Sequence, residues 1–499
     1  MALFAWPWAK RRAKVMWGTI EIPQRLVNYH FYAAGTTGSG KSTLLRMLYR
    51  DIFRDVAVKG FDTRFLFYDH NSEAYPDLVA AGVERHAAIL NPFDARCFAW
   101  NMAKDIRRPA QAKELAAVMV PVAEGPNSYF YNASRMVLEA ALLALMKLKP
   151  GRWNFRDVLL ACFNVEGLHL LAKRAEILET KPISDFVDKT REAKSVRMTL
   201  TVENDKYAAI AAAWYHAQKA NRLFSINDWA EGEGRQILLI GASDEYSTSL
   251  ATVNRLVIER ARQLLLSYKK KNARSGRRTW VVLDEFPSLG ALPNLEHFLT
   301  RGRKYGVCAV LGFQHIAHIQ ELYKGRSNAI LGQCTHQAFF KVNDAEMAQW
   351  CASQFGRLIR YDEEGFVEKN DPAATENNFR GMKAATEKTG FECILTSDVS
   401  VLPSGPLKIR IAPSKKLMER DSITTGQKKR RGLDEADEMK KGFVPWDDGL
   451  ELKPWDEEER KELFGTDGAK QLPSASEATQ ATFPVNPLFH SLAVEALAP

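Results

Sequence analysis

The sequence predicts an α/β protein with a mostly parallel central sheet, an inserted all-α domain and a disordered C-terminal tail. Three observations carry that reading. An apolar strand pattern at 28–34 enters a glycine-rich turn, a helix pattern from Lys41 to Phe53 and a second strand pattern at 63–68. This β–loop–α–β order is the grammar of a parallel α/β layer. From about 107 to 224 the apolar residues recur at helical spacing instead, as in Leu115, Val118 and Met119 or Met136, Leu138, Leu142 and Leu145. The α/β alternation then returns, with strand patterns at 235–240, 280–283, 308–311 and 337–342 and a helix pattern at 250–265.

The resulting organisation is a basic, aromatic segment at 1–18, an α/β domain made of 19–106 and 225–412, an all-α insertion at 107–224, and a charged tail at 413–499. The first segment holds Phe4, Trp6, Trp8 and Trp17 among Lys10, Arg11, Arg12 and Lys14. It suits either an anionic membrane surface or a docking peptide. Residues 361–390 are polar and read as a loop. The tail alternates KKRR with DEADE and ends in a Ser/Ala/Thr/Pro-rich stretch, a composition that buries too little surface to offset chain entropy.

Composition bounds the function. The chain has 499 residues, 46% of them hydrophobic and 26% charged, which excludes a fibrous or wholly disordered protein. No stretch has the ~18 uncharged apolar residues of a membrane helix. The six cysteines form no CxxC pair and read as reduced thiols of a cytosolic protein. A net charge of +9 permits a polyanionic partner.

The strongest motif is Gly35-Thr36-Thr37-Gly38-Ser39-Gly40-Lys41-Ser42, followed by Thr43. It matches GxxxxGK[ST] between a strand and a helix. Glycines let successive backbone N–H groups turn inward around an anion, and the helix N-terminus adds its dipole. Lys41 reaches the β and γ phosphates of ATP, and the Ser42 hydroxyl is a ligand for Mg²⁺. A second apolar strand, 280–283, ends in Asp284 and Glu285. A buried parallel strand delivers its last residues to the edge where the loop opens. There Asp284 can hold the metal's hydration shell and Glu285 can polarise an attacking water. Arg301, Arg303 and Lys304 cluster at a helix end, fit either for capping it or for reaching a neighbouring subunit's γ-phosphate. Gln314 closes the next strand and reads either as a γ-phosphate sensor or as a surface amide.

At this point the chain resembles the TraD/TraG-type coupling proteins of conjugation and type IV secretion, RecA-like DNA-translocating ATPases related to the FtsK and HerA pumps. The matching stretches run in family order: HFYAAGTTGSGKSTLLRML, the run from Ile89 to Arg96 with Trp100 and Asn101, the helical insertion, VVLDEFPSLGALPNLEHFLTRGRKYG, VLGFQ, and LTSDVSVLPSGPLKIRIAP. The resemblance implies a RecA-like P-loop NTPase fold and an ATP-hydrolysing motor that couples or pumps DNA. Lys41 and Ser42 take the phosphate and magnesium roles, Asp284 and Glu285 the acidic-strand roles, Arg303 the arginine-finger position and Gln314 the polar motif. It further implies a hexameric ring, sequence-nonspecific DNA in a central channel, and relaxosome and type IV secretion components as partners.

Two alternatives stand beside it, an FtsK/HerA-like pump not tied to secretion and a nucleotide-dependent recruitment platform. Family members usually begin with transmembrane helices, whereas about sixteen residues precede the range 17–412 that the resemblance covers. The expectation is therefore a cytoplasmic chain, peripheral at the inner membrane, that is a soluble relative, has a separate membrane-anchor subunit, or has been trimmed.

Overall fold

Nine strands form one sheet: β1 Phe31–Ala34, β2 Thr63–Asp69, β3 Ala87–Ile89, β4 Ile237–Gly241, β5 Arg278–Leu283, β6 Val307–Phe313, β7 His336–Phe339, β8 Phe391–Thr396 and β9 Leu407–Ile411. Their spatial order is β9-β8-β7-β1-β6-β5-β2-β4-β3. From β7 to β3 every pairing is parallel, and β8 and β9 add antiparallel pairings at one edge. The computed structural model describes residues 12–471 apart from 57, 59–60, 121–124, 126–127, 164, 179–189, 268–276, 362–366, 387, 389, 404, 412–440 and 447–449.

The chemistry of the strands explains the topology. In β1, β4 and β6 every residue is buried, so both faces are covered and a parallel arrangement follows. The helix Lys41–Ile52 lays Leu44, Leu45, Leu48 and Ile52 onto one face, each buried. Beneath it Trp17 packs 5.1 Å from Phe31, which in turn lies 5.9 Å from Trp280. Such tilted pairs add about 0.5–1.5 kcal/mol each beyond their burial.

Trp17 corrects the reading of residues 1–18 as a separate segment. Val15–Trp17 is a strand paired antiparallel to Ile20–Ile22, and Trp17 is wholly buried. Arg12 pairs with Asp55 at 3.6 Å and lies over the Phe61 ring. Residues 12–18 thus belong to the α/β core, while Phe4, Trp6, Trp8, Lys10 and Arg11 lie outside the described residues. The supposed loop at 361–390 also contains structure: Arg357–Tyr361 pairs with Val367–Pro372 in a hairpin, and Glu376–Arg380 is a helix.

The chain divides into two units, residues 1–96 with 226–445 and residues 97–225 with 446–499. The helical unit starts earlier than 107 because a two-residue parallel pair, Ala99–Trp100 with Leu223–Phe224, closes its base. Asp105 ties that base together, accepting from Trp100 Nε1 at 2.7 Å and Ser225 Oγ at 2.6 Å. Among its described helices are Met102–Asp105, Pro109–Met119, Ser128–Leu148, Phe155–Phe163, Val165–Arg174, Arg191–Asp205 and Ala208–Lys219. In Ser128–Leu148 the buried face runs through Val137, Leu138, Ala141, Leu142 and Leu145, which leaves Met136 at 38% exposure.

The same unit takes part of the expected tail. Arg156 and Asp157 are buried charges, which need partners. The segment 453–459 supplies them: Arg156 donates to the carbonyl oxygens of Lys453 and Pro454 and pairs with Glu459 at 2.8 Å, and Trp455 Nε1 donates to Asp157 at 2.8 Å. A helix, Glu457–Gln471, follows. Residues 412–440 and 472–499 lie outside the described residues.

Candidate functional site

The carboxyl ends of four adjacent strands deliver the site. β1 ends at Ala34 and leads into the loop 35–40; β6 ends before Gln314, β5 before Asp284 and Glu285, and β2 at Asp69. Register aligns them, with Phe313 opposite Ala34 and Leu311 opposite Leu283.

The loop is held from both sides. Gly35 N–H donates to Phe313 O at 3.3 Å and Thr36 N–H to Lys341 O at 3.0 Å. Ser39 Oγ donates to Thr36 O at 2.7 Å, closing the turn. At Gly40 φ is 106° and an added Cβ would stand 2.7 Å from Phe391 Cβ, so backbone angle and space both demand glycine. Lys41 Nζ donates to the carbonyls of Gly35 at 2.6 Å and Thr36 at 3.0 Å, and so lies over the loop.

A cavity of about 390 Å³ opens in front. Thr37, Gly38, Gly40, Lys41, Ser42, Thr43, Asp284, Glu285 and Gln314 all line it, together with Arg46, His70, Asn71, Glu73, Ala385 and Thr386. Gly35, Thr36 and Ser39 instead build the loop from behind. The Ser42 hydroxyl hydrogen bonds Asp284. Thr37 Oγ1 donates to Gln314 Oε1 at 2.7 Å, and the Gln314 side chain also hydrogen bonds Glu285.

Burial dominates the electrostatics. It raises the carboxyls of Asp284, Asp69 and Glu285, the last two to about 7, while the nearby Lys41 charge holds Asp284 and Glu285 down. Burial lowers the Lys41 ammonium, against the opposing pull of Glu285 and Asp284. Asp284 and Glu285 face Lys41, and Asp69 lies buried beside Asp284. Oxygen donors with a surplus of negative charge fit a hard divalent cation such as Mg²⁺, with Ser42 and Asp284 as the adjacent pair.

Arg303 is elsewhere. It precedes β6 while Gln314 follows it, and that strand is seven residues long. At about 3.3 Å per residue the two ends lie roughly 20 Å apart. Its guanidinium donates to Gln333 O at 2.7 Å and lies 4.9 Å from the centre of the Tyr29 ring. Arg277 and Arg278 are also engaged: Arg277 pairs with Asp62 and Arg278 with Gln24.

Sequence reasoning missed Asp69 and Arg46. Asp69 had a signal, since it ends a buried strand as Asp284 does. Its carboxylate accepts the N–H groups of Glu73 at 2.9 Å and Ala74 at 2.7 Å, fixing the loop that carries His70, Asn71 and Glu73. Arg46 stands one turn beyond Ser42 and pairs with Asp77 at 2.8 Å and Glu73 at 3.2 Å. Thr386 gave no signal.

Residues 14–412 match the family profile described as the type IV secretion-system coupling protein DNA-binding domain. The chain is 25% identical to coupling protein TraD of Escherichia coli (strain K12) over 335 residues, covering 66% of this chain and 44% of TraD. It is 29% identical to conjugal transfer protein TraG of Rhizobium radiobacter over 240 residues, 46% of this chain and 36% of TraG. The chain thus spans less than half the length of these relatives. Among solved structures, the plasmid coupling protein TrwB with ADP and Mg²⁺ superposes with a TM-score of 0.62 at 17% identity, covering 81% of this chain and 90% of that one. Unbound TrwB gives 0.61 at 18% identity over the same shares. The nine-stranded α/β unit therefore shares the fold of TrwB, the RecA-like P-loop architecture.

Proposed function

The chain belongs to the family of type IV secretion-system coupling protein DNA-binding domains, and from that premise we propose that it is a magnesium-dependent ATPase motor that moves DNA in conjugative transfer. One observation carries the enzymatic part: Thr37, Gly38 and Gly40–Thr43 of the loop, Asp284 with Glu285, and Gln314, from three separate stretches of sequence, line a single cavity.

Each side chain has a task set by its place. Loop N–H groups and the helix dipole bind the β-phosphate, and Lys41 neutralises charge gathering on the β and γ phosphates. Ser42 and Asp284 would hold Mg²⁺, which supplies charge neutralisation of the phosphate oxygens. Glu285, raised to about 7, orients water and accepts its proton. Gln314 joins Glu285 to Thr37, so the water-orienting carboxylate and the phosphate loop share one hydrogen-bonded link.

Arg303, at the opposite edge, acts on a neighbouring subunit's γ-phosphate in a hexameric ring. Tyr29 beneath it is 40% exposed, the sort of aromatic surface a subunit interface covers. DNA runs through the ring without base readout, held by its backbone, and relaxosome and secretion components are the partners. Among the described residues no helix is long and apolar enough to cross a membrane, and a peripheral place at the inner membrane is part of the same proposal.

The test is ATP turnover measured with and without single-stranded and double-stranded DNA. Stimulation by either supports the motor. Turnover indifferent to both contradicts it and favours a recruitment platform.

A further inference from the structure

The run from Asn91 to Arg96 has no part in the nucleotide pocket. It is a rigid turn on the end of the sheet. Leu90 N–H donates to Leu239 O at 2.7 Å, Phe93 N–H to Asn91 Oδ1 at 3.2 Å and Arg96 N–H to Asp94 Oδ1 at 2.9 Å. Phe93 stacks on Tyr246 with ring centres 4.2 Å apart. Asp94 is buried and paired with Arg96 at 2.6 Å.

What this turn holds is the far end of the chain. Ala95 N–H donates to Val444 O at 2.7 Å, and Val444 N–H reaches Asp94 Oδ2 at 3.4 Å. Arg96 donates to the carbonyls of Lys441 at 3.1 Å and Gly442 at 3.2 Å while lying over the Tyr75 ring, 4.2 Å from its centre. Most of these contacts are to backbone of 441–444, so a segment with little apolar content is still gripped.

The strap also presses on the pocket. A Cβ on Gly442 would meet Ser72 O at 1.9 Å, so only glycine allows this approach. Ser72 has φ of 56°, a left-handed conformation costly for serine. Its neighbours His70, Asn71 and Glu73 line the cavity. The inner side of this loop therefore faces the phosphates, and its outer side bears the strap. We propose that the 91–96 turn is a receptor for the chain's own residues 441–445, and that the seated strap holds the rim of the nucleotide pocket.

The proposal rests on the reading of the cavity as a nucleotide site, and its test has one arm that does not. Hydrogen exchange of the full chain is compared among wild type, Gly442→Val and Arg96→Ala, alongside dissociation of a fluorescent ATP analogue with Mg²⁺. Both variants should speed exchange at 441–446 and at 69–76. They should also release the analogue about tenfold faster, the size expected for one or two lost hydrogen bonds. Faster exchange of the strap with unchanged exchange of the rim and unchanged release overturns the clamp. Unchanged exchange at 441–446 in both variants overturns the docking. If wild type does not bind the analogue, the nucleotide reading fails and exchange at 69–76 alone decides the strap.

Discussion

The two edges of the central sheet hold their charges in opposite ways. At the carboxyl edge Asp284, Glu285 and Glu73 line open space together with Lys41 and Arg46, three carboxyl groups to two cations. At the amino edge several polar groups near Arg303 are paired within the chain, although the buried Arg303 Nε has no partner among the described residues. His30 is fully buried, its Nε2 facing Leu299 O at 2.7 Å and its Nδ1 accepting from Ala309 N–H at 3.0 Å, and Arg303 donates to Gln333 O. One edge lines open space with charge, and the other spends most of its polar groups on the chain itself, with Tyr29 exposed at its rim. The difference teaches that a motif residue acts in its own subunit only if its strand end lies at the carboxyl edge. Arg303, at the wrong end of β6, has either a partner subunit's phosphate or a purely structural role.

The largest expected effect is at Lys41. Lys41→Ala should drop ATP turnover to the assay floor, since it removes the cation that neutralises charge on the transferring phosphoryl group. It removes no apolar packing, so circular dichroism and melting should stay near wild type. Near-normal turnover would break the account of the carboxyl edge.

Arg303→Ala sharpens the comparison. Acting in trans, it should bind ATP nearly normally and lose about 10³–10⁵ in turnover. As a structural residue it should leave turnover intact and cost about 1–2 kcal/mol in a denaturant melt through the lost Gln333 bond. Gln314→Ala should lower turnover by about 10², in the range of one lost orienting group, with ATP binding retained. Unchanged turnover would return Gln314 to a surface amide.

The smallest effect concerns the amino edge. Burial lowers His30 to about 4, with the Arg303 and His336 charges acting in the same direction and the Leu299 carbonyl against it. A histidine lowered in the fold stays neutral there while the unfolded chain protonates near 6.5. Stability is therefore full above pH 6.5 and lost as pH falls toward 4, by roughly 3 kcal/mol for a shift of this size. Urea melts between pH 4.5 and 7 should show a shallower loss for His30→Gln than for wild type. Parallel curves would contradict this.

Legibility followed local pattern. The loop 35–42, the strand ending in Asp284 and the boundaries of the helix Lys41–Ile52 were readable because each is a short run with its own signature. Trp17 was misread because a tryptophan among basic residues looks superficial, and its burial is set by Phe31 and by the carbonyl of Gln337, 320 residues away, which accepts its Nε1–H. The helix Glu457–Gln471 was hidden in an acidic stretch whose partners, Arg156 and Asp157, lie some 300 residues earlier. Met136 fits an apolar period, yet the buried face runs one position on. Arg46 and Thr386 enter the site only through folding.

The most direct measurement mixes the two edges. A Lys41→Ala subunit offers Arg303 without a working pocket, and an Arg303→Ala subunit offers a pocket without the arginine. If the edges complete each other across a subunit boundary, mixed assemblies should recover ATP turnover that neither variant has alone, peaking at intermediate ratios. No recovery at any ratio, with co-assembly verified by differently tagged subunits, would contradict the trans role and leave Arg303 as a structural residue of the amino edge.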